Sequence, residues 1–131
     1  MPELPEVETV RRGLADLLPG QAVVRATVFD SPKSFPNSPT DVQQFLYGAH
    51  VTAVRRRAKV LMIDLDTRYS LVIHLKMTGQ LIFRGANSFA GGHPNDSLIG
   101  ELPDKSTRVQ IDFTDGSRLF FNDQRKFGWM K

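Results

Sequence analysis

The stretch that decides the fold class runs from residue 109 to residue 121 and reads VQIDFTDGSRLFF. Apolar side chains occupy every second position from Val109 to Phe113, and polar side chains stand between them. Such alternation is typical of a β-strand with one buried face. The pair Asp115-Gly116 favours a tight turn, after which the alternation resumes at Leu119. The sequence therefore predicts an antiparallel hairpin.

Further strands are predicted upstream of this hairpin, where β-branched and aliphatic residues form segments of strand length. These strands are Val23–Phe29, Val51–Arg57, Val60–Asp66, Ser70–Lys76 and Gln80–Arg84. Two intervening segments are predicted loops. One is the Ser- and Pro-rich stretch Asp30–Pro39, and the other is Gly85–Ser106, which holds four of the ten glycines and is expected to be mobile.

Two helices complete the predicted fold. Apolar residues recur at steps of three and four between Pro5 and Leu18, and Pro19-Gly20 ends the pattern. A shorter helix is predicted over Asp41–Leu46. No Ser, Thr, Asp or Asn precedes the first helix, so we expect its first N–H groups to remain for water or a phosphate. The fold class is α+β and mainly β: a two-layer antiparallel β-sandwich with a long N-terminal helix and a second short helix.

Composition excludes several function classes. The 131 residues suit one domain, and the absence of cysteine excludes disulfides and thiolate zinc sites. The three histidines are far apart in sequence, so we expect no metal and no cofactor in this chain. The net charge of +3 permits polyanion binding without establishing it. Apolar runs are too short for a membrane span, and we expect a soluble, cytoplasmic protein.

The N-terminal residues offer a route to covalent chemistry. Removal of Met1 would leave Pro2 as a free secondary amine, which condenses with the C1′ carbon of a sugar to give an iminium ion. The start of the helix disfavours the protonated amine. Glu3 is placed to carry protons, and Glu6 to hold a water or orient Glu3. The alternative is that these prolines and acids only begin a helix.

Four motifs, in order along the chain, resemble the formamidopyrimidine-DNA glycosylase family. They are MPELPEVETV at residues 1–10, Arg57-Ala58-Lys59, HLKMTG at residues 74–79 and NDQRKFG at residues 122–128. Leu4 favours this family over endonuclease VIII, whose start resembles Pro-Glu-Gly-Pro. The resemblance implies a bifunctional DNA glycosylase and AP lyase that removes oxidised purines, such as 8-oxoguanine and formamidopyrimidines, from duplex DNA through Pro2.

The resemblance also implies how the DNA is held. An enzyme that reacts at C1′ must turn the nucleotide out of the helix, which leaves a gap and an unpaired base. Arg125 is implied to face the orphaned cytosine, while Met77 and Phe127 fill the gap. Lys59 is implied to act in the catalytic site and, with His74, to hold phosphates. Each of these side chains would otherwise be an ordinary core, loop or surface residue.

Other basic residues are left open. Arg57 is a candidate DNA contact, although Arg55 to Arg57 equally suit a solvated strand face, with Arg56 pointing opposite to its neighbours. The family often has histidines before the strand that begins near Arg108. This chain has Lys105 and Arg108 there, which are expected to supply the phosphate contact instead.

The resemblance places further regions after residue 131, namely a helix–two-turn–helix and a zinc ribbon. Zinc is expected there and not in this chain. The expected partner is duplex DNA with an oxidised purine or an abasic site, bound by a monomer in a bacterial-type cytoplasm. Two alternatives remain: a catalytically silent damage-binding domain, inactive because Met1 is retained or the C-terminal half is missing, and a protein-interaction sandwich with an incidental basic face.

Overall fold

A computed structural model describes residues 3–29, 39–76, 78–92, 100–123 and 129–130, with backbone only for 39–41 and 129–130. The helices are α1 (Leu4–Leu17) and α2 (Pro39–Leu46). The strands are β1 (Val23–Val28), β2 (Val51–Arg57), β3 (Val60–Leu65), β4 (Ser70–His74), β5 (Gly79–Arg84), β6 (Phe89–Gly92), β7 (Thr107–Phe113), β8 (Arg118–Asp123) and β9 (Trp129–Met130).

The strands form two antiparallel sheets. One has the order β1-β7-β8-β5-β6 and the other the order β2-β3-β4-β9. Buried side chains from both sheets and both helices belong to one hydrophobic cluster, which includes Leu61, Ile73, Val109 and Phe121. The predicted fold class, a mainly β sandwich with a long N-terminal helix, is confirmed. No helix in the described ranges is long and apolar enough to cross a membrane.

The predicted hairpin is β7–β8. Its turn closes through Phe113, whose N–H donates to Ser117 O at 2.9 Å and whose carbonyl accepts from Gly116 N–H at 3.1 Å. Gly116 has a φ of +88°, a conformation in which a side chain is disfavoured. The Asp115 carboxylate accepts the Ser117 N–H at 2.8 Å. The turn chemistry read from Asp115-Gly116 is therefore correct.

Helix α1 packs its apolar side on the sandwich. Val7, Val10 and Leu14 are buried, as their spacing predicts. The helix begins with Glu3 as its N-cap, in extended conformation and without a side-chain capping hydrogen bond. This agrees with the expectation that the first N–H groups of α1 lack a side-chain cap.

Three predicted boundaries are wrong. Helix α2 begins at Pro39 and not at Asp41. The predicted mobile loop Gly85–Ser106 contains a strand, β6, which pairs with β5. Glycine suits that strand because a Cβ on Gly91 would lie 2.8 Å from Val10 Cγ2, so α1 can pack closely against it. The strand predicted to reach Lys76 ends at His74, since Lys76 has a φ of +51°.

Candidate active site and nucleic-acid interface

Seven of the predicted site residues lie in the described part of the chain. They are Glu3, Glu6, Arg57, Lys59, His74, Lys105 and Arg108. The other four lie outside the described residues. They are Pro2, Met77, Arg125 and Phe127. The structure gives the positions of described residues that are near these four in sequence. The roles of the four themselves stay predictions.

Glu3 and Lys59 lie together, although 56 positions separate them in sequence. The Nζ atom of Lys59 is 3.8 Å from Glu3 Oε2. The Glu3 side chain is 72% exposed and that of Lys59 is 33% exposed, so the pair contributes little to stability. The arrangement places an ammonium group beside the carboxylate of Glu3, the residue that directly follows Pro2.

The position of Lys59 follows from a two-residue hairpin turn. Arg57 pairs with Val60 across β2 and β3, which leaves Ala58 and Lys59 as the turn. Ala58 has a φ of +52°, a conformation that costs a non-glycine residue about 1 kcal/mol. The motif Arg57-Ala58-Lys59 therefore forms a hairpin turn, which presents Lys59 at the end of β2 and β3.

His74 lies on the neighbouring strand, where it pairs in register with Val60. Its Nδ1 atom accepts the backbone N–H of Lys76 at 3.0 Å, so the neutral ring carries its proton on Nε2. Burial lowers the pKa of His74, and the nearby charges of Lys76 and Lys59 lower it further. A neutral imidazole with an Nε2–H donor, beside two lysines, suits a phosphate oxygen.

A tight turn links β4 to β5. The N–H of Gly79 donates to Leu75 O at 2.9 Å, closing the turn. A Cβ on Gly79 would lie 2.4 Å from that oxygen and 2.7 Å from Leu75 Cα. Only glycine therefore fits at this position without displacing backbone.

The end of this turn is joined to the end of β8. Thr78 Oγ1 donates to Asp123 Oδ1, and both side chains are buried. Gly79 and Asp123 are also paired in register between β5 and β8. Thr78 directly follows Met77, and Asp123 lies two residues before Arg125. The two segments predicted to probe the DNA stack therefore begin from one hydrogen-bonded anchor.

Further buried polar groups surround this anchor. Asn122 Nδ2 donates to Gln80 Oε1 at 3.2 Å, and Thr107 Oγ1 donates to Asn122 Oδ1 at 2.8 Å. The Asp123 N–H donates to Ser106 O at 2.9 Å. Buried polar groups with satisfied hydrogen bonds favour a single arrangement of the chain. The network thus fixes the backbone from which the turn and the segment after β8 extend.

The two basic residues predicted near this network differ in environment. Arg108 is buried, and its Nε donates to Asp123 O at 2.9 Å. Lys105 is exposed. Arg108 thus supports the anchor, and a phosphate contact at this place suits Lys105 better. That contact stays a prediction.

Arg57 and Glu6 are both exposed. Neither side chain has a hydrogen bond or ion pair within the described ranges, so their predicted roles rest on the sequence. Arg55 instead pairs with Asp64, its Nη2 lying 3.0 Å from Oδ1. The guanidinium of Arg55 lowers the pKa of Asp64.

Sequence reasoning missed Glu8. Its carboxylate binds three guanidinium groups, those of Arg11, Arg12 and Arg56. Hydrogen bonds from Arg11 and then Arg56 hold the pKa of Glu8 well below its usual range. The i+3 and i+4 spacing of Arg11 and Arg12 signals the contacts within the helix. No sequence signal identifies the third contact, since Arg56 is 48 residues away.

Within the ranges that the structure describes, no group of three or more His, Cys, Asp or Glu residues could hold a metal ion. The expected absence of a metal or cofactor in this chain stays a prediction. The proposed chemistry uses only the chain's own side chains and terminus.

Comparison with known proteins identifies relatives of this chain. Residues 1–130 match the model of the formamidopyrimidine-DNA glycosylase N-terminal domain. The formamidopyrimidine-DNA glycosylase of Jannaschia sp. (strain CCS1) is 45% identical over 132 residues, covering 99% of this chain and 44% of the relative. That of Chloroflexus aurantiacus is 40% identical, covering 98% of this chain and 41% of the relative. The chain thus spans less than half the length of these relatives.

The fold is also similar to solved structures. A complex between Lactococcus lactis Fpg and DNA containing an abasic site superposes with a TM-score of 0.80 at 26% identity, over 98% of this chain and 43% of that one. A complex of the same enzyme bound non-covalently to DNA with an AP site gives a TM-score of 0.79 at 27% identity, over 98% and 44% of the two chains.

Proposed function

Because this chain belongs to the formamidopyrimidine-DNA glycosylase family, as its N-terminal domain, we propose that its protein is a DNA glycosylase and AP lyase of base excision repair. The substrate is duplex DNA with an oxidised purine, such as 8-oxoguanine or a formamidopyrimidine, or with an abasic site. The observation that carries the proposal is the ion pair between Glu3 and Lys59. Their charged groups are 3.8 Å apart, and Glu3 directly follows Pro2 in sequence.

Pro2 supplies the nucleophile once Met1 is removed. Its nitrogen attacks C1′, forming an N–C1′ bond while the glycosidic bond breaks and its electron pair leaves with the base. The Pro2 nitrogen gives up its own proton in this step, which balances the proton that the departing base takes up. Opening of the C1′–O4′ bond gives the iminium ion, and O4′ takes up a proton. The iminium acidifies C2′–H, so loss of that proton expels the 3′ phosphate. A further elimination expels the 5′ phosphate, and water releases Pro2.

Glu3 and Lys59 serve these proton transfers. Glu3 is joined to Pro2 by one peptide bond and carries a proton towards O4′ and away from C2′. The Lys59 ammonium, 3.8 Å away, stabilises the carboxylate that remains after Glu3 gives up its proton. Glu6, exposed one turn into α1, holds a water near Glu3. The dipole of α1 disfavours the protonated form of the terminal amine.

The remaining residues hold and deform the DNA. His74 donates from Nε2 to a phosphate, and the charges of Lys59 and Arg57 add to the attraction for the DNA backbone. Met77 and Phe127 fill the gap left by the everted nucleotide, and Arg125 contacts the unpaired base. The buried Thr78–Asp123 hydrogen bond supports this assignment, because it joins the two segments that carry these residues.

We further propose that the whole protein is monomeric and acts in the cytoplasm on the bacterial nucleoid. A helix–two-turn–helix and a zinc ribbon after residue 131 complete its phosphate clamp. A retained Met1 makes the Pro2 nitrogen an amide without a usable lone pair. That form is the second candidate: a damage-binding protein without lyase activity.

Borohydride trapping tests the proposal. The full-length protein, its N-terminus verified by intact mass, is mixed with abasic or 8-oxoguanine duplex and reduced. We expect a covalent protein–DNA adduct with the Met1-free protein and none when one glycine is inserted before Pro2. Glu3→Gln is expected to lower the trapping rate about 100-fold, while Glu6→Gln has a smaller effect. If the Met1-free protein forms no adduct, the proposed enzymatic function is contradicted, and the damage-binding function remains as the candidate.

A further inference from the structure

Glu8 lies in the second turn of α1 and joins the helix to the four-stranded sheet. Its Oε1 accepts from Arg56 Nε at 2.9 Å. The exposed fractions of the two side chains are 27% for Arg56 and 22% for Glu8. An ion pair shielded to this degree is screened less than a fully exposed one. Arg11 Nε and Nη2, each 2.8 Å from Glu8, hold the carboxylate in its orientation.

Arg56 has a second contact, on the side of the proposed site. Its Nη1 donates to Ala58 O at 3.2 Å. Ala58 is the turn residue with positive φ that directly precedes Lys59. One guanidinium therefore binds both the helix that follows Pro2 and the turn that presents Lys59.

The two ends of α1 are held differently. Just beyond its C-terminal end, the Gly20 N–H donates to Val51 O at 2.8 Å, a backbone link to the start of β2. Near its N-terminal end, the polar links to the sheet within the described residues are Glu8–Arg56 and Glu3–Lys59. Glu3–Lys59 is mostly exposed, so Glu8–Arg56 is the better-shielded link.

We infer that Arg56 and Glu8 are positioning residues for the proposed reaction, fixing the Lys59 turn against the start of α1 and so setting the Glu3–Lys59 separation. This inference rests on the proposed function for its kinetic consequence. Neither residue touches the substrate; both act through Lys59 and the first turn of α1. A displacement of about 1 Å at a reacting group can slow a reaction about 100-fold.

The test compares single-turnover trapping rates at saturating abasic DNA. Arg56→Gln and Glu8→Gln are expected to lower the rate constant roughly 10- to 100-fold, with much smaller changes in the dissociation constant for DNA. Arg56→Lys keeps the charge and is a milder change to the fold, but one ammonium cannot reproduce both guanidinium contacts. We expect at least a 10-fold loss for it as well.

Arg12→Gln is the matched control. Arg12 binds the same Glu8 carboxylate at 2.8 Å, but its side chain is 74% exposed and has no hydrogen bond or ion pair to the sheet within the described residues. The trapping rate constant of the Arg12→Gln variant is expected to stay within about twofold of that of the unaltered protein. The Glu8→Gln/Arg56→Gln double variant is expected to be no slower than the slower single variant, because both changes remove one link.

A crystal structure of Arg56→Lys gives a readout that needs no activity. We expect the Lys59 Nζ–Glu3 Oε2 separation to increase from 3.8 Å to beyond direct contact. An unchanged separation, or rate constants for Arg56→Lys and Arg56→Gln within twofold of that of Arg12→Gln, overturns the inference. If the unaltered protein forms no adduct, the proposed function fails instead, and the crystallographic separation alone decides the positioning role.

Discussion

Replacing Thr78 by valine removes one hydroxyl and leaves the shape of the side chain almost unchanged. The lost hydrogen bond runs from Thr78 Oγ1 to the carboxylate of Asp123. Asp123 has no exposed surface, and only 7% of Thr78 is exposed. The carboxylate oxygen that loses this donor is buried and cannot exchange it freely for water.

The expected destabilisation follows from this environment. Hydrogen bonds to charged groups contribute about 1.5 to 3 kcal/mol, and we take about 2 kcal/mol for Thr78→Val. For a chain of 131 residues, with an unfolding entropy of about 2.1 cal/mol/K per residue, this lowers Tm by roughly 7 °C. The measurement is urea unfolding at neutral pH, with calorimetry for Tm.

Thr52→Val is the control. The Thr52 hydroxyl donates to Asp64 O at 3.3 Å on an exposed strand position, and its loss is expected to cost less than about 0.5 kcal/mol. In DNA binding, Thr78→Val is expected to reduce the preference for abasic over intact duplex, because the Thr78–Asp123 anchor next to Met77 in sequence is weakened. A Thr78→Val protein within 0.5 kcal/mol of the unaltered one refutes the role assigned to the anchor.

Three further outcomes are expected. Gly79→Ala should lower the free energy of unfolding by about 2 to 4 kcal/mol in urea titrations, because the new Cβ meets the backbone of Leu75 at 2.4 Å; a loss below 1 kcal/mol contradicts that close contact. In the unfolded chain His74 becomes protonated below pH 6.5. In the folded chain its pKa is lowered, so protonation requires a lower pH. Stability should therefore fall as pH drops below 6.5, and less so in His74→Gln; equal pH profiles would exclude this. Lys105→Gln should reduce the slope of log K for DNA against log salt by about 1, and an unchanged slope removes Lys105 from the phosphate contacts.

Local pattern was enough for most of the fold. The alternation around Val109 and the turn pair Asp115-Gly116 predicted β7–β8, and the apolar spacing in α1 predicted its buried side. These features depend on neighbours in sequence. Strand β6 was missed because its glycines favour a loop locally, and its strand conformation depends on pairing with β5 and packing beneath α1.

In the site, too, features that depend on sequence neighbours were predictable, and contacts between distant residues were not. Motif resemblance identified Glu3, Lys59 and His74, but only the structure gives the 3.8 Å contact between Glu3 and Lys59. The burial of Arg108 against Asp123 O was not predictable, because nothing local distinguishes it from the exposed Lys105. Contacts between residues distant in sequence depend on strand order, which the local sequence pattern does not reveal.

The central claim is that the amine of Pro2 forms the covalent bond to the sugar. Lys59 is an alternative amine close to this site, since its Nζ lies 3.8 Å from Glu3 Oε2. Proteolysis and tandem mass spectrometry of the borohydride-reduced adduct with abasic DNA locate the modified nitrogen. We predict that the deoxyribose remnant is on the N-terminal peptide, at Pro2. Modification of Lys59, or of any other lysine with Pro2 unmodified, would contradict the account.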